Sequence, residues 1–293
     1  MAYRVVKINH RCKLETQLGY LVVRSDKETK IFLDDIELLI VENQQTCLTS
    51  ALISELMTHN VRVLFCDSKH NPQGELNPYS TSYNCFAKYK HQSGWDEEIK
   101  DQIWSLIVHQ KIKNQSLLLK SKRKDDAFSL LTQYLYEIEP GDRSNREGLA
   151  AKVYFSALFG SDFDRRKDSD VRNTYLNYAY SLILSAMNRE ISALGYFNPV
   201  GIHHIGETNP FNLGCDFVEP FRPFADKAVL DGGLTKENFK SELLKLFSKE
   251  IHCNDKVMLL ENAIHDYILS VLSALNRQSM PSLAKVTFLD EQL

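Results

Sequence analysis

The groups in this sequence best equipped for chemistry are Glu147, the pair His203-His204, and Asp216 with Glu219. Two carboxylates and one imidazole form an oxygen-rich donor set that suits a hard or borderline divalent ion such as Mg²⁺ or Mn²⁺. Each group also has a plainer local use. Pro140-Gly141-Asp142 closes one helix, Ser144 is a suitable N-cap for the next, and Glu147 falls at its third position. That is a capping box, in which the carboxylate reaches back to the N-cap amide. His203-His204 lies among Pro199, Gly201, Gly206 and Asn209-Pro210, so it belongs to a loop. Asp216, Glu219, Arg222 and Asp226 recur every three or four residues on one helix face. Read locally, Glu219 and Arg222 make a surface ion pair worth about a few tenths of a kcal/mol.

The flanking residues argue that some of these groups are enclosed. Behind Glu147, the small residues Gly148, Ala150 and Ala151 allow a close approach to the first turn, and Val153, Tyr154, Phe155, Leu158 and Phe159 give the helix a bulky apolar body. Phe217, Val218, Phe221 and Phe224 crowd the second acidic segment, where Pro220 and Pro223 are set to kink or end the helix. A carboxylate at the edge of such a core requires partners.

The elements that position these groups fall into two parts. Residues 1–75 read as a small β-rich, sandwich-like domain: YRVVKI, GYLVVRS, TKIFL, IELLIV and VRVLFC are short, β-branched runs between polar turns, with one helix over Thr49 to His59. Residues 76–95 have linker composition, with Tyr79, Tyr83, Phe86 and Tyr89 available for packing or for stacking on bases. From Asp96-Glu97-Glu98, an acidic helix start, the periodicity becomes helical. Helices are expected at 126–138, 144–159, 173–195, 214–230, 236–249 and 256–275, which makes residues 96–293 a larger all-α domain ending in a loose tail from Gln278. The fold class is therefore α+β.

The chain of 293 residues is 43% hydrophobic and 25% charged, long enough for two cores, and has no apolar run of membrane-spanning length. Its beginning lacks the apolar stretch of a signal peptide. The six cysteines are scattered without a C-x-x-C pair, which argues against a disulfide framework or a zinc site and for a reducing cytoplasm. A net charge of −3 argues against bulk electrostatic binding of nucleic acid. Local basic clusters remain: Lys111, Lys113, Lys120, Lys122, Arg123 and Lys124, and then Arg165-Arg166-Lys167. Each is either a solvated helix end or a phosphate-contact stripe.

In their order along the chain, NREGLAAKVYFSALFG, NYAYSLILSAMNREI, GIHH and CDFVEPFRPFAD resemble the CRISPR-associated spacer-acquisition integrases, the Cas-one family, and most closely its type II members. The resemblance implies a metal-dependent DNA integrase and endonuclease that inserts short DNA into a CRISPR array by transesterification at the repeat boundary. It implies Glu147, His204 and Glu219 as ligands of Mg²⁺ or Mn²⁺, and Asp216 as a supporting catalytic acid. His204 then either ligates the ion or shuttles a proton. Many relatives carry a second acid after the last ligand, where this chain has Pro220. Implied partners are double-stranded DNA, a second copy of the chain docked through the β-rich domain, a smaller Cas-two protein and other type II CRISPR proteins. Two other readings compete: a non-enzymatic helical DNA-binding scaffold, and a metal-dependent phosphodiesterase acting on another substrate.

Overall fold

Short β-branched runs separated by tight turns fold into sheet because alternate side chains can be buried on one face. In the computed structural model, which describes residues 4–68, 72–76, 85–167, 169–277 and 283–289, eight strands arise this way in the first of two compact units, Met1–Thr81. They are β1 (Arg4–Ile8), β2 (Lys13–Gln17), β3 (Tyr20–Arg24), β4 (Glu28–Phe32), β5 (Ile36–Val41), β6 (Cys47–Leu48), β7 (Arg62–Cys66) and β8 (Pro72–Leu76), with helix α1 over Ser50–Thr58. Two four-stranded sheets form, in the orders β4-β3-β2-β6 and β1-β5-β7-β8. Leu14 and Leu21 from the first sheet and Ile8, Leu39 and Val63 from the second share one buried core with Leu52 and Leu56 of α1. The β2–β3 hairpin turns through Leu18 and Gly19, both at positive φ, as a two-residue turn of this twist requires.

The second unit, Ser82–Leu293, is predominantly helical. Its helices are α2 (Cys85–Gln92), α3 (Glu97–Ser121), α4 (Asp125–Leu135), α5 (Arg146–Phe159), α6 (Val171–Ala193), α7 (Asn212–Phe217), α8 (Arg222–Asp231), α9 (Phe239–Leu244) and α10 (Leu260–Arg277). The long α3 starts as its acids suggested, with the Asp96 side chain accepting from the amides of Glu98 and Ile99. Its middle is buried almost all round, against α4, α5, α8 and α10.

Four expectations for this part require correction. It is not purely helical: β9 (Glu250–Cys253), β10 (Lys256–Leu259) and β11 (Val286–Phe288) form an antiparallel sheet in the order β10-β9-β11. The helix expected from residue 256 begins at Leu260, because Lys256–Leu259 pairs with β9 across a two-residue turn at Asn254. The single helix over 214–230 is α7, a 3₁₀ turn at Glu219–Phe221 and α8, because Pro220 and Pro223 cannot donate to the preceding turn. The helix over 236–249 is likewise α9 followed by a 3₁₀ turn, Lys245–Ser248.

Within the stretch read as a linker, residues 85–92 form α2, whose Gln92 is buried and bonded to the backbone of Phe197 and Val200. Tyr89 packs near Phe197, while Phe86 is exposed. Tyr79 and Tyr83 lie outside the described residues, as do 278–282 and 290–293 of the expected tail; the described part of that tail contains β11.

Candidate functional site

The helix that presents Glu147 is capped by a different set of residues from the one its sequence suggested. The N-cap is Asn145, in the left-handed region at φ 52°, where asparagine is better tolerated than most residues. Its Oδ1 accepts from the Gly148 amide at 3.2 Å. Asp142, presented by the Pro-Gly-Asp turn, accepts from the amides of Arg146 at 2.8 Å and Glu147 at 2.9 Å. Ser144 instead donates to the Glu137 carbonyl, so no capping box forms. Gly148 is small for the sake of this cap: a Cβ there would lie 2.7 Å from the Asn145 carboxamide oxygen. With the first-turn amides satisfied by Asp142 and Asn145, the Glu147 carboxylate is released for other work.

It meets Lys111. The Lys111 ammonium donates to Glu147 Oε1 at 2.5 Å and also to Glu219 Oε2. One buried nitrogen of α3 therefore joins two acids that lie far apart in the chain. Glu219 is the more enclosed, with its side chain 5% exposed against 31% for Glu147. Its other oxygen accepts from Arg222 Nε at 2.9 Å. The expected surface ion pair is thus a buried one. Burial alone would raise the Glu219 pKa, but Arg222 and Lys111 outweigh it and hold the carboxyl down at about 2. Burial opposes the charge on Lys111 too; Glu219 and Glu147 overcome it and raise its pKa. The turn that carries Glu219 is itself anchored, since Asn114 Nδ2 donates to the Pro220 carbonyl at 2.9 Å.

His204 is held by a separate device. Asp216, on α7 and fully buried, accepts from the amides of Ile202 at 2.6 Å, His203 at 3.2 Å and His204 at 2.9 Å. It also meets His204 Nδ1 at 2.7 Å. One carboxylate thereby fixes the loop and orients the ring, leaving Nε2 as the imidazole's second functional atom. The loop can approach this closely only because residue 201 is glycine: a Cβ there would fall 2.7 Å from Asp216 Oδ2 and 2.4 Å from the His204 carbonyl oxygen. Asn212 clamps its two ends through the carbonyls of Pro199 and Gly206. The His203 ring stacks on Trp104 of α3, with centroids 4.1 Å apart and planes inclined by 3°. The bond to Asp216 raises the His204 pKa; burial opposes this, and the charges of Asp216, Glu219 and Glu147 reinforce it. Both glutamates are therefore electrostatic neighbours of the imidazole.

Seven residues beyond Glu219, Asp226 is also buried, but its partners are hydroxyls. Tyr154 of α5 donates to one oxygen at 2.8 Å and Tyr180 of α6 to the other. Burial pushes this carboxyl up to about 6 even though both hydroxyls favour its charge. The arrangement ties three helices together beside the site.

Among the described residues, no three His, Cys, Asp or Glu side chains converge as they would around a bound metal. Lys111 occupies the space between the two glutamates instead. The donor chemistry nevertheless fits a hard divalent ion: two carboxylates are already gathered on one cation, and an imidazole oriented by the buried Asp216 carboxylate lies within their electrostatic reach. A cavity of about 570 Å³ lined by Phe224, Lys227, Leu246, Ile251 and Phe288 lies apart from these groups.

The basic clusters divide. Lys111 belongs to the buried site and not to a phosphate stripe. Lys122 pairs with Asp231, Arg165 is bonded to Asn173 and Asn177, and Arg166 is paired with Asp164. Lys120, Arg123, Lys124 and Lys167 are exposed, and Lys113 is half-buried. Asn114 is a site residue that the sequence reading misses, Lys111 is expected in a basic surface cluster, and Arg222 is expected to pair with Glu219 but at the surface. The available signal was the spacing of Lys111, Asn114 and Gln115, a polar stripe along one face of a helix otherwise buried by leucine and isoleucine.

The sequence profile described as "CRISPR associated protein Cas1" matches residues 6–250. A CRISPR-associated endonuclease Cas1 from Neisseria meningitidis is 37% identical over 231 residues, 78% of this chain and 76% of the relative. Among solved structures, a casposase bound to integration product superposes with a TM-score of 0.77 at 20% identity, over 94% of this chain and 92% of that one. A Cas6-RT-Cas1–Cas2 complex matches with a TM-score of 0.76 at 20% identity, over 96% of this chain and 36% of that one. At such identities the two structural matches speak for the fold.

Proposed function

The chain belongs to the CRISPR-associated Cas1 family, and from that premise we propose that it is a metal-dependent DNA integrase and endonuclease that inserts short DNA fragments into a CRISPR array. The observation that carries the reading is the meeting of Glu147 and Glu219 on one buried cation, beside an imidazole locked by Asp216. Glu147, Glu219 and His204 are the residues that would hold the ion, Mg²⁺ or Mn²⁺. When bound, it supplies Lewis-acid polarisation of the scissile phosphate and makes the attacking hydroxyl easier to ionise.

The protein's own groups do the rest. Arg222 keeps Glu219 ionised and fixed in direction, so the oxygen it does not grip, which meets Lys111, stays charged and available to a ligand that displaces the lysine at neutral pH. Asp216 sets the orientation of the imidazole and raises its basicity, and in the neutral ring with Nδ1–H on Asp216 the Nε2 lone pair is left to ligate an ion or to take up a proton. In integration, a DNA 3′-hydroxyl gives up its proton and forms the new phosphorus–oxygen bond, while the bond from phosphorus to the old bridging oxygen breaks and that oxygen takes up a proton. If water takes the place of the hydroxyl, the same groups cut DNA.

Lys120, Arg123, Lys124 and Lys167 are exposed enough to hold the DNA backbone without reading sequence. The wider assembly is a homodimer joined through the β-rich unit, a smaller Cas2 partner and other type II CRISPR proteins, working in the cytoplasm. No helix among the described residues is long and apolar enough to cross a membrane. Single Glu147→Ala, His204→Ala and Glu219→Ala variants, assayed for integration of a short duplex into a repeat-bearing plasmid with Mg²⁺ or Mn²⁺, should each lose activity. Full activity in all three overturns the proposal.

A further inference from the structure

We propose that Lys111 is a placeholder cation: its ammonium holds Glu147 and Glu219 together until a divalent ion displaces it. The inference rests on the reading of those two glutamates as metal ligands.

A lysine nitrogen this enclosed survives only when its charge is matched, and here the match comes from the carboxylates proposed to ligate metal. The two acids arrive from different elements, the first turn of α5 and the 3₁₀ turn before α8. Without an intervening cation their like charges would repel at short range in a poorly solvated pocket. Lys111 removes that repulsion and fixes the distance between them before any ion arrives.

The two cations of the cluster differ in kind. Arg222 grips Glu219 Oε1 through a rigid planar head and lies over the Tyr180 ring at 4.8 Å. Lys111 is a compact point charge on a flexible four-carbon stem, and it contacts the remaining oxygen of Glu219 together with one oxygen of Glu147. Those are the oxygens an incoming ion needs. Ion and ammonium cannot share them, so binding is an exchange: the ammonium leaves and the carboxylates keep their places. Arg222 stays as the permanent counter-charge. Removal of the Lys111 charge should therefore tighten metal binding, an outcome a merely structural lysine would not give.

The experiment titrates full-length protein with Mn²⁺, following free ion by electron paramagnetic resonance, for wild type, K111M and E219Q. The expected result is Glu219-dependent binding in wild type and binding about tenfold tighter or more in K111M. K111M should also unfold at a lower temperature than wild type in EDTA, with the gap closing at saturating Mn²⁺. Equal or weaker Mn²⁺ binding in K111M, with wild type binding normally, overturns the placeholder role. If wild type binds no Glu219-dependent Mn²⁺, the metal-site reading fails and this inference goes with it. A second measurement needs only the wild-type fold: acetylation of Lys111, read by mass spectrometry, should rise severalfold when Mn²⁺ saturates the protein. An unchanged rate overturns the proposal even if K111M does not fold.

Discussion

Glu219 and Asp226 lie on the same short stretch of chain, both buried, yet their surroundings drive them in opposite directions. Glu219 faces an ammonium and a guanidinium and is held down at about 2. Asp226 faces two phenols and is pushed up to about 6. Both accept hydrogen bonds, so hydrogen bonding does not separate them; formal charge on the donor does. With cations as partners, a buried carboxylate stays ionised and can exchange one cation for another. With hydroxyls as partners, it is a tie between helices whose charge opposes the fold at neutral pH. Burial of an acid near a site is thus no guide to its role until its donors are named.

The largest effect expected from this contrast is catalytic. Glu219→Gln keeps the shape of the side chain but removes the charge that the proposed divalent ion would need. It should lower integration on the order of 10³-fold. Asp226→Asn should cost less than about tenfold, since its contact with the chemistry is indirect. Initial rates on one DNA substrate at saturating Mn²⁺ compare the two directly. Equal losses would remove the functional half of the contrast.

The next effect is on stability, and its sign differs between the two acids. Asp226 has a folded pKa above its unfolded value of 3.8, so from about pH 4 to 6 the native state holds a proton that the unfolded chain has lost. Its contribution to stability is therefore greatest below that window and falls as pH rises through it, by about 3 kcal/mol in all. Glu219 has a folded pKa below its unfolded 4.5, so its contribution is present above that value and is lost as pH falls toward about 2. Urea unfolding of metal-free wild type and Asp226→Asn at pH 4, 5, 6 and 7 should show the variant gaining on wild type as pH rises. A stability difference independent of pH would mean that Asp226 is not titrating in the folded protein.

The same distinction explains how much could be read from sequence. Runs such as IELLIV announced their strands because β-branched residues on a buried face leave a pattern. KLETQ did not announce β2, having Leu14 as its single apolar residue, and its pairing comes from β3. Of the β9–β10 hairpin, Lys256–Leu259 reads as the start of the helix expected over 256–275 because it abuts the amphipathic α10, and Glu250–Cys253 falls between two expected helices without a strand reading of its own. At the site, resemblance supplied Glu147, His204, Asp216 and Glu219 as a set. The Arg222 partner of Glu219 was legible from spacing, but Lys111 was not, because in a run of basic residues it looks like surface until α3 is seen to pass through the core. Sequence spacing reports which face of one helix a residue occupies; it carries no information on which acid from another element will meet it.

Asp216 extends the comparison to a third buried acid, one whose donors are mainly backbone amides. Asp216→Asn should lower activity about 10- to 100-fold, since one of its tasks is to orient His204. A loss as large as that of Glu219→Gln would move Asp216 from its positioning role into the proposed ligand set.

The smallest effect separates the two accounts of the α5 start. Asn145→Ala removes the bond to the Gly148 amide but leaves Asp142 on the amides of Arg146 and Glu147. It should cost about 1 kcal/mol of stability, with integration nearly unchanged, because the backbone that presents Glu147 keeps its acidic anchor. Ser144→Ala should cost less, since Ser144 caps no helix amide and makes a single long bond to the Glu137 carbonyl. Thermal unfolding of the two variants orders them. If Ser144→Ala proved the more damaging, Ser144 would be the cap after all, Glu147 would be drawn back to the N-cap amide, and its carboxylate would be lost to the cluster around Lys111.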